Sequence, residues 1–347
     1  MQILYSKFNK EETCRDSNMA SYQFRARHVL YLVFANFCVI LLIFYPQNNA
    51  INDIIKNEEN VPVIEMEENN VEEDKKSFLD GCYHVYLDVG SNIGVQVRKL
   101  FEPEKYPDAA VHSIFNKNFG SIEERRKAYT ANNGKVVCAV GFEPNSHHTK
   151  YLKEVESSYN SCGWNVKFMT ESAASDHDGT TKFYTDEAYQ YNEWGGGILP
   201  PKLINIAVDN VKNKQKPNFM NVTLIRLSDF LKHVVGKRKL PVQPSTISAP
   251  KVVMKMDIEG SEVDVIPDMI FNGGFQYVNS IMVEWHQRLE NLPERKKAHS
   301  ILEGIVKSLS DYSNTMEGHG GKFDFNLVNM DDETYGTSKF DFPKCAL

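Results

Sequence analysis

The sequence predicts an α/β fold built on a doubly wound, mostly parallel sheet, because three apolar runs each end in an acid where a ligand cleft would lie. Residues 85–88 are β-prone up to Asp88 and lead into Gly90 and Gly94, spaced so that a strand turns directly into a helix. Residues 136–143 repeat the pattern, ending in Glu143 before Pro144 and Asn145. Residues 252–257 form the third run, with Glu259, Gly260 and Glu262 just beyond Asp257. Ligands of open α/β sheets bind outside the carboxyl ends of the strands, so the three acids imply one shared cleft.

The first turn is suited to hold a ligand. Glycine permits a positive φ and leaves room beside the main chain, while the helix start behind it favours negative charge. The same turn also occurs in proteins that use it only to pack a helix on a sheet. Glu143 adds the functional signal, since an acid ending the strand after such a turn can accept both hydroxyls of a ribose.

Together these residues resemble the FkbM-type S-adenosylmethionine-dependent methyltransferases. The family pattern is similar to Asp88–Gly94, then Glu143, Pro144 and Asn145, then residues 255–262, then an apolar strand ending in Glu284, Trp285 and His286. The resemblance covers residues 80–290 and implies a Rossmann-like, seven-stranded sheet with S-adenosylmethionine as cofactor. It implies a cofactor site over Asp88, Gly90, Ser91, Asn92 and Gly94, with Glu143 on the ribose and Asn145 near the adenine. Ser172 and Ala173 would border the adenine pocket, and Asp257 would lie beside the cofactor. One departure is the 55 positions between Asp88 and Glu143, where a βαβ unit needs only about 30 residues in all. The excess, residues 102–133, reads as an insertion over an undefined part of the site.

At the N-terminus, residues 1–28 carry Arg25 and Arg27 directly against the uncharged apolar run 29–45. At about 1.5 Å per residue that run covers roughly 25 Å, the short limit for a membrane-spanning helix. The basic flank stays cytoplasmic, which predicts a transmembrane signal anchor, residues 46–77 as an acidic stem, and a lumenal domain from residue 78 to 347. A cleaved signal peptide competes with this reading, but residues 45–50 offer no small-x-small cleavage site. The expected protein is a single-pass type II membrane protein of the Golgi or endoplasmic reticulum. A net charge of −7 gives no electrostatic case for nucleic acid as a partner.

A short helix is expected over 95–101, broken by Pro103 and Pro107, and another over 122–129 within the insertion. Asn145 or Ser146 caps a helix to residue 160 that buries Leu152, Val155 and Tyr159 and stops at Gly163. His147 and His148 fall in its first turn and read as solvent-facing or supporting groups, not metal ligands. Strands follow at 165–169 and 180–185, the second behind a turn at His177–Gly179, with the run 171–176 before it. Trp194, Gly195, Gly196 and Gly197 set an amphipathic ring in a glycine run, so Trp194 and Gly196 are candidate substrate contacts.

Asn221, Val222 and Thr223 form a glycosylation sequon at the start of a strand, 222–227, that reads as an edge strand. Ser228 is placed as the cap of the next helix, and residues 237–250 as a surface linker. Ser261 and Asp264 match a capping box, followed by a strand at 280–285 and a helix over 294–309. Residues 323–328 and 339–342 are expected to close the sheet as an antiparallel pair. In an oxidising lumen Cys82, Cys138, Cys162 and Cys345 permit two disulfides, although Cys138 lies in a core-like strand and reads equally as a buried thiol.

For the chemistry, His286, Asp257, Glu259 and Glu284 are the catalytic candidates. Methyl transfer to oxygen needs proximity and usually removal of the acceptor proton. A neutral imidazole near pKa 6.5 makes His286 the first choice of base. Asp257, Glu259 and Glu284 have three roles open: orienting the acceptor, holding His286, or binding a divalent ion. No Cys/His spacing matches a zinc site, and no metal is assigned from the sequence. The acceptor is expected to bear a hydroxyl, with lumenal topology pointing to a glycan. Two other readings use the same residues differently: a type II membrane glycosyltransferase, in which Asp257 and Glu259 grip a nucleotide sugar through a metal, and a non-catalytic binding module.

Overall fold

A computed structural model of the chain describes residues 76–126, 128–129, 134–185, 196–200, 203, 218–241, 249–317, 324–329, 332, 334 and 342. The chain divides into Met1–Glu73 and Asp74–Leu347, and the description below concerns the second unit. The expected cytoplasmic tail and membrane anchor, and the stem up to residue 75, lie outside the described residues. Among the described residues no helix is long and apolar enough to cross a membrane.

Six strands run parallel: β1 (Cys82–Val89), β3 (Gly134–Glu143), β4 (Asn165–Thr170), β8 (Val252–Met256), β9 (Ser280–Val283) and β10 (Asn326–Leu327). Their order is β10-β9-β8-β1-β3-β4, and β2 (Ala128–Tyr129) adds a two-residue antiparallel seventh strand on β3. Every residue of β1 is buried, as a central strand covered on both faces requires. Val85, Leu87 and Val89 pack with Val140, Met254 and Ile281 against α6 (Glu262–Phe271) and α7 (Pro293–Glu317). Tyr86 faces the other way with Val137, Ala139 and Val253, under α1 (Val95–Phe101), α2 (His112–Phe119) and α4 (Ser146–Ser161). The period-2 alternation of one strand thus feeds two cores, which is the physical content of a doubly wound sheet.

A second sheet differs from expectation. β5 (Ser172–Ser175) and β6 (Gly179–Thr185) do not pair with each other; both flank β7 (Asn218–Arg226), parallel and antiparallel respectively. The strand bearing the sequon is therefore central in its sheet, not an edge, and Asn221 remains exposed because it points away from the small core of Ala173, Phe183, Val222 and Leu224. Residues 326–327 extend β9 in parallel instead of closing an antiparallel pair, and residues 339–342 lie outside the described residues except for Phe342.

The insertion contains α2, a helix not anticipated from the sequence, and α3 (Ile122–Arg125), which stops short because Ala128 joins β2. Arg125 pins it, donating to the carbonyls of Leu100 at 3.2 Å and Gly120 at 2.8 Å and to Asn116 at 2.7 Å. β2 pairs Gly134 and Lys135 at the start of β3, and Phe119 lies against His84 near the start of β1. The described part of the insertion therefore packs at the N-terminal ends of the strands and does not cover the cleft.

Local details also differ. Ser228 sits inside α5 (Leu227–Phe230), which has no side-chain cap, and its hydroxyl bonds Asp268. Ser261 is the N-cap of α6 without a side-chain cap bond, and the Asp264 carboxylate pairs with Arg295 at 3.0 Å. Cys138 is not a free thiol: it is bonded to Cys82, and Cys162 is also disulfide-bonded.

Candidate active site

A cavity of about 330 Å³ opens at the carboxyl ends of β1, β3 and β8, and its floor is the turn after β1. Gly90 has φ +94°, and a side chain there would drive its Cβ into the carbonyl oxygen of Asp257 at 1.7 Å, so only glycine lets β1 and β8 run out side by side. The turn is closed by its own amides. Gly90 and Ser91 donate to the carbonyl of Phe142, Asn92 to Glu143 at 2.6 Å, Ile93 to the side chain of Asn92, and Gly94 to the carbonyl of Ser91. The Glu143 carboxylate spans the site, because its other oxygen accepts from the Asn145 amide at 2.8 Å.

The opposite wall is acidic. Asp257 and Glu284 follow β8 and β9, whose register pairs Met256 with Val283, so the two acids emerge side by side. Glu259 reaches the same wall through a left-handed backbone, φ +52°, which an L-residue adopts at a cost. Asp257 is paired with Lys255 at 2.7 Å. Behind them His286, 2% exposed, holds Glu262 with Nδ1 at 2.9 Å. Its Nε2 lies 3.3 Å from Glu284 and 3.6 Å from both Asp257 and Glu259.

Burial opposes charge on His286, but its hydrogen bonds to Glu262 and Glu284 and the nearby negative charges outweigh it and push the imidazole up to about 11. A neutral ring near 6.5, the basis for choosing His286 as base, is not what these neighbours produce. Glu259 is pushed up to about 8, by burial first and then by the charges of Asp257, Glu262 and Glu284, against the pull of His286. Asp88, 0% exposed, is pushed up to about 7 by burial, with Lys255 and a side-chain hydrogen bond with Ser91 opposing.

Of the residues anticipated from the sequence, Gly90, Ser91, Asn92, Glu143, Ala173, Gly196, Asp257, Glu259 and Glu284 line the cavity. Asp88 and His286 lie beneath its surface, Ser172 donates to the carbonyl of Thr170, and Gly94 starts α1 against Leu152 and Phe168. Asn145 is buried and caps α4 by accepting from His147. Trp194 lies outside the described residues, while Gly197 beside it in the glycine run pairs with Tyr184 and brings Ile198 to the rim.

Phe142, Phe183, Lys255 and Arg288 also line the cavity and were not singled out. Lys255 opens the 255–262 motif, and its position two residues before Asp257 on the same strand face is the signal that places it at the site. Glu262 closes the same motif, and nothing in the sequence shows that its carboxylate turns back to His286, 24 positions away.

No curated protein and no solved structure matches the chain. The family model described as "Methyltransferase FkbM domain" matches residues 88–303, from the acid beneath the glycine turn to the middle of α7. That span is more than half of the chain and includes every described residue of the cavity wall, so the chain belongs to the FkbM methyltransferase family.

Proposed function

We propose that this chain transfers the methyl group of S-adenosylmethionine to a hydroxyl of an acceptor, a sugar within a glycan, in the secretory pathway. The observation that carries the choice of cofactor is the fate of the turn's amides. The N–H groups of Gly90, Ser91, Asn92, Ile93 and Gly94 are all taken by acceptors within the protein, so the turn has no amide cradle for a diphosphate. Among the described residues Glu143, Asp257, Glu259 and Glu284 line the cavity against Lys255 and Arg288. Such a wall favours a ligand carrying a sulfonium and an ammonium over a nucleotide sugar. The groups of the site fit that cofactor: Glu143 lines the cavity with both carboxylate oxygens ordered by backbone amides, ready for ribose hydroxyls.

When bound, S-adenosylmethionine supplies a methyl carbon made electrophilic by its sulfonium. Glu259, on the cavity wall and pushed up to about 8 chiefly by burial, takes the acceptor hydroxyl proton when it is ionised. Asp257, held by Lys255, orients the acceptor, and His286 fixes the acids from behind.

The compartment is argued from three features. The Cys82–Cys138 disulfide suits an oxidising lumen, Asn221 of the sequon is exposed, and the run 29–45 has the length and basic flank of an anchor. The acceptor is tested by incubating purified full-length protein with methyl-labelled S-adenosylmethionine and a panel of oligosaccharides. Label in the sugar fraction supports the reading; label confined to protein or lipid acceptors overturns the glycan assignment.

A further inference from the structure

We infer that Asp257, Glu284 and His286 form a site for one divalent cation of the Mn²⁺ or Mg²⁺ type at the edge of the cavity. One ligand atom from each of the three lies within 4.8 Å of the others, the spread of a coordination sphere waiting for a central ion. Two of the ligands are set by sheet register: Asp257 and Glu284 leave adjacent parallel strands side by side, and Glu284 N–H is fixed on the carbonyl of Met256 at 2.9 Å.

The histidine makes the set more than a group of acids. His286 is almost wholly buried, yet its Nε2 points at the wall carboxylates while Nδ1 is held at 2.9 Å by Glu262, which has no exposed surface. Glu262 is itself fixed, because the same oxygen accepts the Ile258 amide at 3.1 Å. A buried carboxylate on one imidazole nitrogen orients the ring and raises the basicity of the other, the arrangement found behind metal-bound histidines. The cation takes the place of the Nε2 proton.

Charge points the same way. Asp257, Glu259, Glu262 and Glu284 surround one imidazole, with the Lys255 ammonium on Asp257 and the Arg288 guanidinium 3.8 Å from Glu284, so four carboxyl groups face two fixed cations, a balance that a divalent ion in place of the imidazole proton suits. Two hard carboxylate oxygens and one borderline imidazole nitrogen, with an open side toward the cavity, leave positions for water or for acceptor hydroxyls, a donor set that suits Mn²⁺ better than Mg²⁺. In the transfer reaction the ion would bind the acceptor oxygen and ease loss of its proton to Glu259. That last role rests on the methyltransferase reading; binding of the ion does not.

The test is titration of purified, chelator-treated full-length protein with MnCl₂, followed by calorimetry and by the paramagnetic resonance of free Mn²⁺, alongside binding of S-adenosylmethionine in chelator. The expected result is saturable binding of one Mn²⁺ per chain, lost in Glu284→Gln and His286→Gln and weakened about 10- to 100-fold in Glu262→Gln. Glu284→Gln alters a wall residue that reaches the cavity, so an unchanged melting temperature separates lost binding from lost folding. No saturable Mn²⁺ binding, or binding unchanged in folded Glu284→Gln and Glu262→Gln, overturns the site. Because the cofactor is measured without metal, a protein that binds S-adenosylmethionine but not Mn²⁺ sinks this inference alone. A protein that binds Mn²⁺ but not S-adenosylmethionine upholds the site and sinks the methyltransferase reading.

Discussion

Glu143 accepts the Asn92 amide at 2.6 Å across 51 positions of sequence, and so ties the glycine turn to the end of β3. Its second oxygen, on the Asn145 amide, extends that tie to the start of α4. Glu143→Ala is expected to weaken S-adenosylmethionine binding by about 1–3 kcal/mol and to lower the melting temperature, since two amides lose a charged acceptor. Calorimetry and thermal unfolding check both. An unchanged affinity would remove Glu143 from the cofactor site whatever happens to stability.

Glu259→Gln tests the proton acceptor. The side chain lines the cavity, and glutamine keeps its shape but cannot take a proton. A kcat lower by about 10² to 10⁴, with cofactor affinity retained, is expected for loss of a general base. Wild-type kcat in this variant would pass the role to another group.

The acid-side stability of the domain depends on His84. Burial, with help from the charges of Arg238 and Lys251, pushes this histidine down to about 4, and its Nδ1 accepts the Lys251 amide at 2.9 Å. The unfolded chain, with a histidine near 6.5, therefore binds more protons, so the contribution is complete above pH 6.5 and is lost as pH falls toward 4. The full swing is at most about 3 kcal/mol. Melting temperatures of wild type should fall across that window, and those of His84→Asn, whose amide oxygen can still accept from Lys251, should fall less. Identical pH slopes would contradict the assignment.

Much of this was legible because the informative residues are local. Asp88 with Gly90, and Asp257 with Glu259, declare a strand, a turn and an acid within a few positions, and the β1 alternation specifies its own two cores. What escaped is long-range. β7 was read as an edge strand because nothing in its residues announces that β5 returns to pair with it in parallel. The Cys82–Cys138 bond was one of several pairings open to four cysteines, and the approach of their Cα atoms to 5.7 Å across β1 and β3 is not written in the spacing. An ordinary pKa for His286 is the expectation from sequence because nothing in the spacing shows that residues 257–262 and Glu284, from two separate segments, bring four carboxylates to one ring.

The disulfide makes the compartment testable. Peptide mapping without reductant should recover Cys82 joined to Cys138, and reduction, which also opens the Cys162 disulfide, should destabilise the domain by at least about 4 kcal/mol, the expectation for the 56-residue loop alone. Glycosidase treatment should lower the mass through Asn221. A free Cys138 thiol together with an unglycosylated Asn221 would contradict a lumenal domain.

The central claim is the choice of cofactor, and the direct measurement is calorimetric titration of the purified full-length protein with S-adenosylmethionine and, separately, with UDP-sugars. The turn's consumed amides and the acidic wall predict saturable binding of S-adenosylmethionine at one site per chain, weakened by Glu143→Ala, and no binding of UDP-sugars. Saturable binding of a UDP-sugar with none of S-adenosylmethionine would contradict the account.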